Sequence, residues 1–310
     1  MDLTIKKVSC HVITYNHVNY ISKCIDGILM QKTNFNFEII IGDDVSTDGT
    51  RELVQQYALK YPDKIKLNLR DVRGIGIPGK ENFVSTLKMC HGEYITLCDG
   101  DDYWTDPHKL QKQVDFLEAN NQYIIHSGSA QVLRNNNFCE IIGCPLAKDT
   151  YRLPDFYVKN NLITCTIMFR NTITLDSFFT DVLFGDWMLS VLILAANKGK
   201  AAYVSNEIYS VYRVHGGGVM QTISNEYDNA VAHLKHISKI KKLVKCNYSK
   251  DDCILLNSYH VNIFKHFYII GNLKNYLKIF TENFLLTKSH LSIKLYLSVI
   301  KHYSLKKSFE

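Results

Sequence analysis

The 310-residue chain carries nine cysteines but no CxxC pair and no zinc-like Cys/His spacing. An odd, unpatterned set argues against a disulfide framework and for reduced thiols in a cytoplasmic protein. No charged-then-apolar leader precedes the first strand-like run, so no secretory signal is expected. No uninterrupted apolar run is long enough to span a membrane. No GxGxxG follows the first strand, which excludes a Rossmann dehydrogenase, and the GxxxxGKS/T order of a P-loop is absent. From residue 233 onward there is no Arg, no Pro and no nucleic-acid recognition motif, which leaves nucleic acid out as an expected partner.

What the chain does have is 46% hydrophobic content, enough to bury a sizeable core as one large domain or two. The net charge of +6 is uneven, because residues 1–232 sum to −4 and residues 233–310 to +10. Apolar side chains recur in the basic region at helical spacings, as in Ile263, Phe264, Phe267, Ile270 and then Leu291, Leu295, Val299, which predicts two to four amphipathic helices. Such helices are either an ordinary appendage with a solvated Lys face or an interfacial element drawn to anionic lipid.

The densest chemistry is the run Leu97-Cys98-Asp99-Gly100-Asp101-Asp102-Tyr103-Trp104, directly after the β-prone residues 94–98. At a strand end the i, i+2 spacing points Asp99 and Asp101 to the same side, and Gly100 between them admits another group close to the backbone. The pair reads either as an acidic turn or as a site for a hard divalent ion, Mg²⁺ or Mn²⁺, whose shell substrate phosphates complete. A second acidic cluster favours the ion. The strand at 37–42 ends in Asp43-Asp44-Val45-Ser46-Thr47-Asp48-Gly49-Thr50, before a helical pattern at 51–57. Asp48 or Thr50 suits an N-cap, whereas Asp43 and Asp44 lie at the carboxyl end of the strand, where open α/β sheets bind ligands. A third strand, 8–13, ends in Thr14-Tyr15-Asn16 ahead of a helix at about 20–31. Tyr15 there either offers its face to a nucleotide base or packs half-buried.

These three segments, in this order and spacing, resemble the nucleotide-sugar-binding half of family 2 glycosyltransferases with the GT-A fold. The later run Tyr212-Arg213-Val214-His215-Gly216-Gly217-Gly218-Val219 resembles the end of that catalytic domain in bacterial members, so the likeness covers about residues 5–220. It departs from the commonest pattern at Val45, where a Gly often precedes the Ser, and has at Gly100 a usual variant of the DxD-like motif. The resemblance implies a Rossmann-like α/β fold, a mixed central sheet flanked by helices, with an α-helical C-terminal extension. Residues 1–232 would be the catalytic domain, with a nucleotide-sugar-binding half at 1–105 and an acceptor-side half at 106–232. Residues 233–310 would be the Lys-rich helical region. The implied activity is inverting and metal-dependent (Mn²⁺ or Mg²⁺). It moves a sugar from a nucleotide-diphosphate donor, UDP being the commonest, to a glycan or lipid-linked acceptor in bacterial surface-polysaccharide assembly. The implied location is cytoplasmic, with peripheral attachment to the membrane through the C-terminal region as one option.

Carried over residue by residue, Asp101 is the metal ligand, Asp99 a ribose partner or a neighbour of the metal's ligands, and Asp102 a carboxylate behind them. Thr14, Tyr15, Asn16, Asp43, Asp44, Gly100 and Arg213 fall on the donor side. His215 reads as a metal ligand, a donor to phosphate, or an ordinary loop histidine, and the glycines after it form a flexible segment able to close over a diphosphate. Gly74, Gly76 and Gly79 with Lys80 and Asn82 make a Gly-rich loop before a helix at 83–90, read as donor-side. Asp186 opens an apolar helix reaching residue 196 and is formally a good N-cap, whereas the resemblance makes it the catalytic base. Strand candidates stand at 123–127, 131–133 and 164–170, and the polar composition of 134–154 suggests a mobile loop. A helix is expected at 109–119, with Trp104, Asp106 and Pro107 as its structural start. Two other classes fit the sequence less well. A sugar-phosphate nucleotidyltransferase would want a Gly-rich, Arg/Lys-containing signature that Thr14-Tyr15-Asn16-His17 lacks. A non-catalytic nucleotide-sugar-binding protein would not need Asp99, Asp101 and Asp186 intact.

Overall fold

A computed structural model describes residues 6–74, 77, 79–144, 148–173, 182–218, 225–269 and 278. The chain divides into two compact units, residues 1–156 with 160–215, and 157–159 with 216–310.

Continuous apolar runs make the central strands of the first unit. Strand β1 (Val8–Thr14) is buried at every position but Ile13, and β2 (Phe37–Asp43) at every position. Such strands are covered on both faces, as in a parallel sheet. Between them α1 (Ile21–Leu29) turns Ile21, Cys24, Ile25 and Ile28 into the core, the spacing of one helical face. The alternation continues through α2 (Thr50–Lys60), β3 (Ile65–Leu69), α3 (Lys80–Leu87) and β4 (Tyr94–Asp99). β1 runs parallel to both β2 and β4, and β3 parallel to β2. The chain thus moves outward from β1 to β3 and then returns to β4 on the other side of β1. A reversal of this kind opens a crevice at the carboxyl ends of the strands. In register, Thr14 stands beside Asp43 and Ile13 beside Asp99, so three polar strand ends meet there.

The rest of the unit adds β5 (Tyr103–Trp104), α4 (Lys109–Ala119), β6 (Tyr123–Arg134), β7 (Asn137–Ile142), β8 (Thr150–Tyr151), β9 (Met168–Arg170), α5 (Gly185–Ala196) and β10 (Ala201–Val214). The ten strands form one mixed sheet in the order β3-β2-β1-β4-β9-β6-β10-β5, with β7 on β6 and β8 on β10. β9 lies antiparallel between β4 and β6, while β10 is parallel to β6. Antiparallel pairing of Ser210 with Trp104 and Val211 with Tyr103 brings the end of β10 to the residues that follow Asp99. Beneath them Trp104 is 1% exposed and donates from Nε1 to Cys165 O at 2.8 Å. Lys109 is fully buried; its Nζ donates to Thr96 Oγ1 at 2.9 Å and to Gln113 Oε1 at 2.8 Å, and sits 4.1 Å from the Trp104 ring centroid. Burial lowers this amine to about 8.

The structure corrects two readings. Residues 134–154 are not a single loop, because β7 and β8 lie inside them; β7 is exposed at nearly every position, so no apolar alternation marks it. Residues 145–147 lie outside the described residues. The candidate at 164–170 divides into a 3-10 turn, Thr164–Thr166, and β9, while the two candidates at 123–127 and 131–133 are one strand, β6.

In the second unit α6 (Glu226–Val244) is capped by Asn225, whose side chain accepts from Asp228 N–H at 2.9 Å, and α7 (Lys250–Ile269) follows. Tyr227 stacks on His266 and His233 on Tyr259, with ring centroids 4.0 and 4.8 Å apart. These are two of the expected C-terminal helices, and Ile263 is buried on α7. Ile270, Leu291, Leu295, Val299 and the side chains of Phe264 and Phe267 lie outside the described residues. No described helix is long and apolar enough to cross a membrane.

Candidate active site

Asp99 ends β4, and Asp101 and Asp102 follow in a tight turn closed by Asp102 N–H donating to Asp99 O at 2.9 Å. Arg213, at the end of β10, ties down this turn: its backbone N–H donates to Asp102 Oδ1 at 2.7 Å and its Nε to Asp101 O at 2.8 Å. The guanidinium lies 4.7 Å from the Tyr20 ring centroid and 5.5 Å from that of Tyr103. Two residues on, His215 Nε2 stands 2.9 Å from Asp101 Oδ2, and His17 Nε2 stands 3.9 Å from the same oxygen. One ligand atom from each of His17, Asp101 and His215 lies within 4.8 Å of the other two, and all three side chains are half-buried. Two imidazoles and a carboxylate at this spacing are a donor set able to hold a divalent ion.

The electrostatics join a second group to the first. Burial pushes Asp99 up to about 7, aided by the charges of Asp101 and Asp186 and opposed by Lys80. Burial also pushes Asp101 upward, yet the His215 hydrogen bond and the nearby His17 outweigh it and hold this carboxyl below its usual range. Asp102 is raised well above its usual range by burial and then by Asp101. Burial lowers Lys80 to about 8 against the pull of Asp186 and Asp99. Burial lowers His17 too, with Asp101 opposing.

Asp186 is the second residue of α5, whose N-cap is Phe184, so it does not cap the helix. Its Oδ2 accepts from Asn160 Nδ2 and from Thr164 Oγ1, each at 2.8 Å. Among the described residues Oδ1 has no hydrogen-bond partner.

At the end of β2 the acidic residues are held by arginines. Asp43 is fully buried and its Oδ2 accepts from Arg51 Nε at 2.7 Å and from Ser46 N–H at 3.2 Å. Asp44 pairs with Arg70 at 3.1 Å and faces Arg73 at 3.9 Å, and the Arg73 guanidinium lies 3.6 Å over the Tyr15 ring. Asn16 accepts from Thr47 N–H at 2.9 Å, linking the two loops. Asp48 serves the start of α2 from two residues before it, its Oδ1 accepting from Thr50 N–H at 3.0 Å, while Gly49 occupies the cap position. Val45 has φ of +65°, a left-handed backbone where glycine is favoured.

The structure therefore brings Asp99, Asp101, Asp102, Lys80, Asp186, Arg213 and His215 into one neighbourhood, with Thr14 against Gly100 at its edge. It does not bring Asn82, which is 1% exposed and donates from Nδ2 to Gly42 O at 2.8 Å. Gly76 and Val219 lie outside the described residues. Sequence reasoning missed His17, the arginines at Asp43 and Asp44, and the Asn160 and Thr164 pair on Asp186. His17 carried a local signal in its place directly after Thr14-Tyr15-Asn16. The other partners lie 8 to 29 residues or so from the carboxylates they hold and carried none.

The profile of Glycosyl transferase family 2 matches residues 9–174. An uncharacterized protein of Mycobacterium tuberculosis is 35% identical over 208 residues, a match covering 67% of this chain and 58% of that relative. The putative teichuronic acid biosynthesis glycosyltransferase TuaG of Bacillus subtilis is 30% identical over 217 residues, covering 67% of this chain and 79% of TuaG. Among solved structures, Staphylococcus aureus TarS 1-349 in complex with UDP-GlcNAc gives a TM-score of 0.64 at 16% identity, over 91% of this chain and 81% of that one. The mannosyltransferase PcManGT from Pyrobaculum calidifontis, in complex with GDP-Man and Mn²⁺, gives 0.51 at 16% identity, over 95% and 86%. The mixed, helix-flanked sheet is thus that of GT-A enzymes, and the chain belongs to glycosyl transferase family 2.

Proposed function

We propose that this glycosyltransferase moves a sugar, with inversion, from a nucleotide-diphosphate donor to a hydroxyl of a glycan or lipid-linked acceptor in polysaccharide assembly. The observation that carries the reading is Asp186: two side chains fix one of its oxygens, and its charge reaches Asp99 at the carboxyl end of β4 and Lys80 at the start of α3. With Oδ2 occupied, Oδ1 is the atom that takes the proton from the attacking acceptor hydroxyl, a contribution of about 10²- to 10⁴-fold. Asp101 and His215 are the ligands we assign to Mn²⁺ or Mg²⁺. When bound, such an ion neutralises the charge that develops on the departing diphosphate. Asp99 lies beside them for the ribose, Lys80 supplies positive charge for the donor phosphates, and Arg213 holds the turn that carries Asp101.

UDP is the first nucleotide to test, since TarS is solved with UDP-GlcNAc, and GDP the second, since PcManGT is solved with GDP-Man. The test is nucleotide release from a panel of UDP- and GDP-sugars with Mn²⁺, with Mg²⁺ and with EDTA. Release from one donor class that EDTA abolishes supports the reading, and undiminished release in EDTA contradicts the metal role. For the Lys-rich residues 233–310 we propose attraction to an anionic membrane surface. Sedimentation with anionic vesicles should then weaken as salt rises, because exposed charges are screened over about 8 Å at physiological ionic strength.

A further inference from the structure

We infer that His17, from the loop after β1, is a third protein ligand of the metal held by Asp101 and His215, and that it makes the site prefer Mn²⁺ or Co²⁺ to Mg²⁺. The inference rests on the metal reading of Asp101 proposed above. Three observations point to it.

The first is position. His17 O accepts from Tyr20 N–H at 2.8 Å and from Ile21 N–H at 2.9 Å, so the residue is fixed by the first turn leading into α1. Its ring is held at the carboxyl end of β1, with centroids 6.2 Å from Tyr20 and 6.0 Å from His215. The second is spacing. Donors about 2.1 Å from one ion stand about 3 Å apart when adjacent and about 4.2 Å apart when opposite. The separations here are 2.9 Å for Asp101 to His215 and 3.9 Å for Asp101 to His17, and no pair in the triad exceeds 4.8 Å. Sub-ångström adjustment closes the three onto one ion.

The third is what His17 does not do. Its side chain is 15% exposed, its Nδ1 is buried without a hydrogen-bond partner, and Nε2 is too far from Asp101 to form one. A largely buried imidazole that makes no hydrogen bond among the described residues is unexplained as a purely structural group. A metal ligand gives a role to Nε2, the nitrogen that faces Asp101 Oδ2 at 3.9 Å without bonding it.

The consequence for ion choice follows from donor chemistry. Mg²⁺ takes oxygen ligands and retains its waters, whereas the affinity of a site containing nitrogen donors rises along the first-row ions from Mn²⁺ to Co²⁺. A site with one carboxylate and one imidazole discriminates little. A second imidazole shifts the balance away from Mg²⁺, and His17 is the residue that supplies it.

The experiment is direct binding of metal alone to the full chain. Mn²⁺ is titrated by electron paramagnetic resonance, with Co²⁺ and Mg²⁺ as competitors, and nitrogen couplings to bound Mn²⁺ are counted. Wild type should show two imidazole couplings and follow the order Co²⁺, Mn²⁺, Mg²⁺. His17→Ala and His17→Gln should lose one coupling, weaken Mn²⁺ at least tenfold and narrow the gap between Co²⁺ and Mg²⁺, with thermal melting unchanged. If both variants keep wild-type Mn²⁺ affinity and couplings while Asp101→Ala abolishes binding, the role of His17 is overturned and the metal site stands. Wild type that binds none of the three ions, with or without UDP or GDP, overturns both.

Discussion

Gly100→Ala is a demanding perturbation of the donor end, because the reason for a glycine there is space. A Cβ at residue 100 would lie 2.9 Å from Thr14 Cβ, 2.9 Å from Thr14 Oγ1 and 3.0 Å from Ile21 Cδ1, where ordinary contact begins at 3.4 Å. Ile21 Cδ1 can rotate away, but Thr14 Cβ is fixed to the backbone of β1 and no rotamer moves it. The ends of β1 and β4 must therefore part by about half an ångström, and overpacking of this kind costs about 1–3 kcal/mol. The displacement falls on Asp101, next in the chain, and a shift of about 1 Å at a reacting centre can cost about 10²-fold in rate. Trp104 and Trp187, each 1% exposed, supply the fluorescence signal for denaturant unfolding, and Mn²⁺ affinity and nucleotide release are measured beside it. Thr14→Gly in the same background removes the colliding Cβ and should restore part of the Mn²⁺ affinity. A Gly100→Ala variant with unfolding free energy within about 0.5 kcal/mol of wild type and unchanged Mn²⁺ binding would refute this reasoning.

Val45→Gly should raise the unfolding free energy by about 1 kcal/mol, since a β-branched residue at φ +65° carries about 1–3 kcal/mol of strain and glycine loses about 0.5–1 kcal/mol in chain entropy; denaturant titration checks it. Arg51→Leu leaves the fully buried Asp43 carboxylate without its charged partner and should cost about 3–5 kcal/mol, read by the same titration. Burial, and then the charge of Lys109, lowers His126 to about 3, so it stays neutral in the fold while the unfolded state protonates near pH 6.5. Its contribution is present above pH 6.5 and is lost as pH falls below that value. Asp99, raised to about 7, acts in the opposite sense, so the comparison is made against His126→Gln. Between pH 7 and 5.5 wild type should lose about 1 kcal/mol more stability than this variant.

Where burial follows from a continuous apolar run, the elements were legible. β1, β2 and β4 are such runs, and α4 has a clear helical pattern with Pro107 just before it. β3 and β10 were not read. β3 buries only its first residue fully, and β10 has register shifts against β6 and exposed residues at Asn206, Glu207 and Ile208, which break its alternation. Lys109 looks like a solvated helix residue in sequence, yet it lies in the core because Thr96 and Gln113, on two different elements, satisfy its ammonium. The carboxylates of the candidate site were legible through their strand ends. Of their partners, His215 was singled out by its place in the Tyr212-Arg213-Val214-His215 run although it is 114 residues from Asp101, whereas Asn160, 26 residues from Asp186, carried no signal. Asn82, expected on the donor side, lies in the interior for a local reason: Gly42 leaves room for the helix to approach, and the amide bonds to β2.

In the proposed mechanism Asp186 acts on the acceptor's proton while the donor is held elsewhere, and Asp186→Asn separates the two functions. The amide oxygen can still accept from Asn160 and Thr164, so orientation and folding should persist, but the group can no longer take up a proton at neutral pH. Calorimetric titration of the nucleotide sugar and a transfer assay on the same preparation separate the two steps. The expected result is donor affinity within about twofold of wild type and transfer reduced by about 10²- to 10⁴-fold. Transfer near the wild-type rate, with donor binding intact, would contradict the assignment and leave Asp186 as an anchor for residues 160–164.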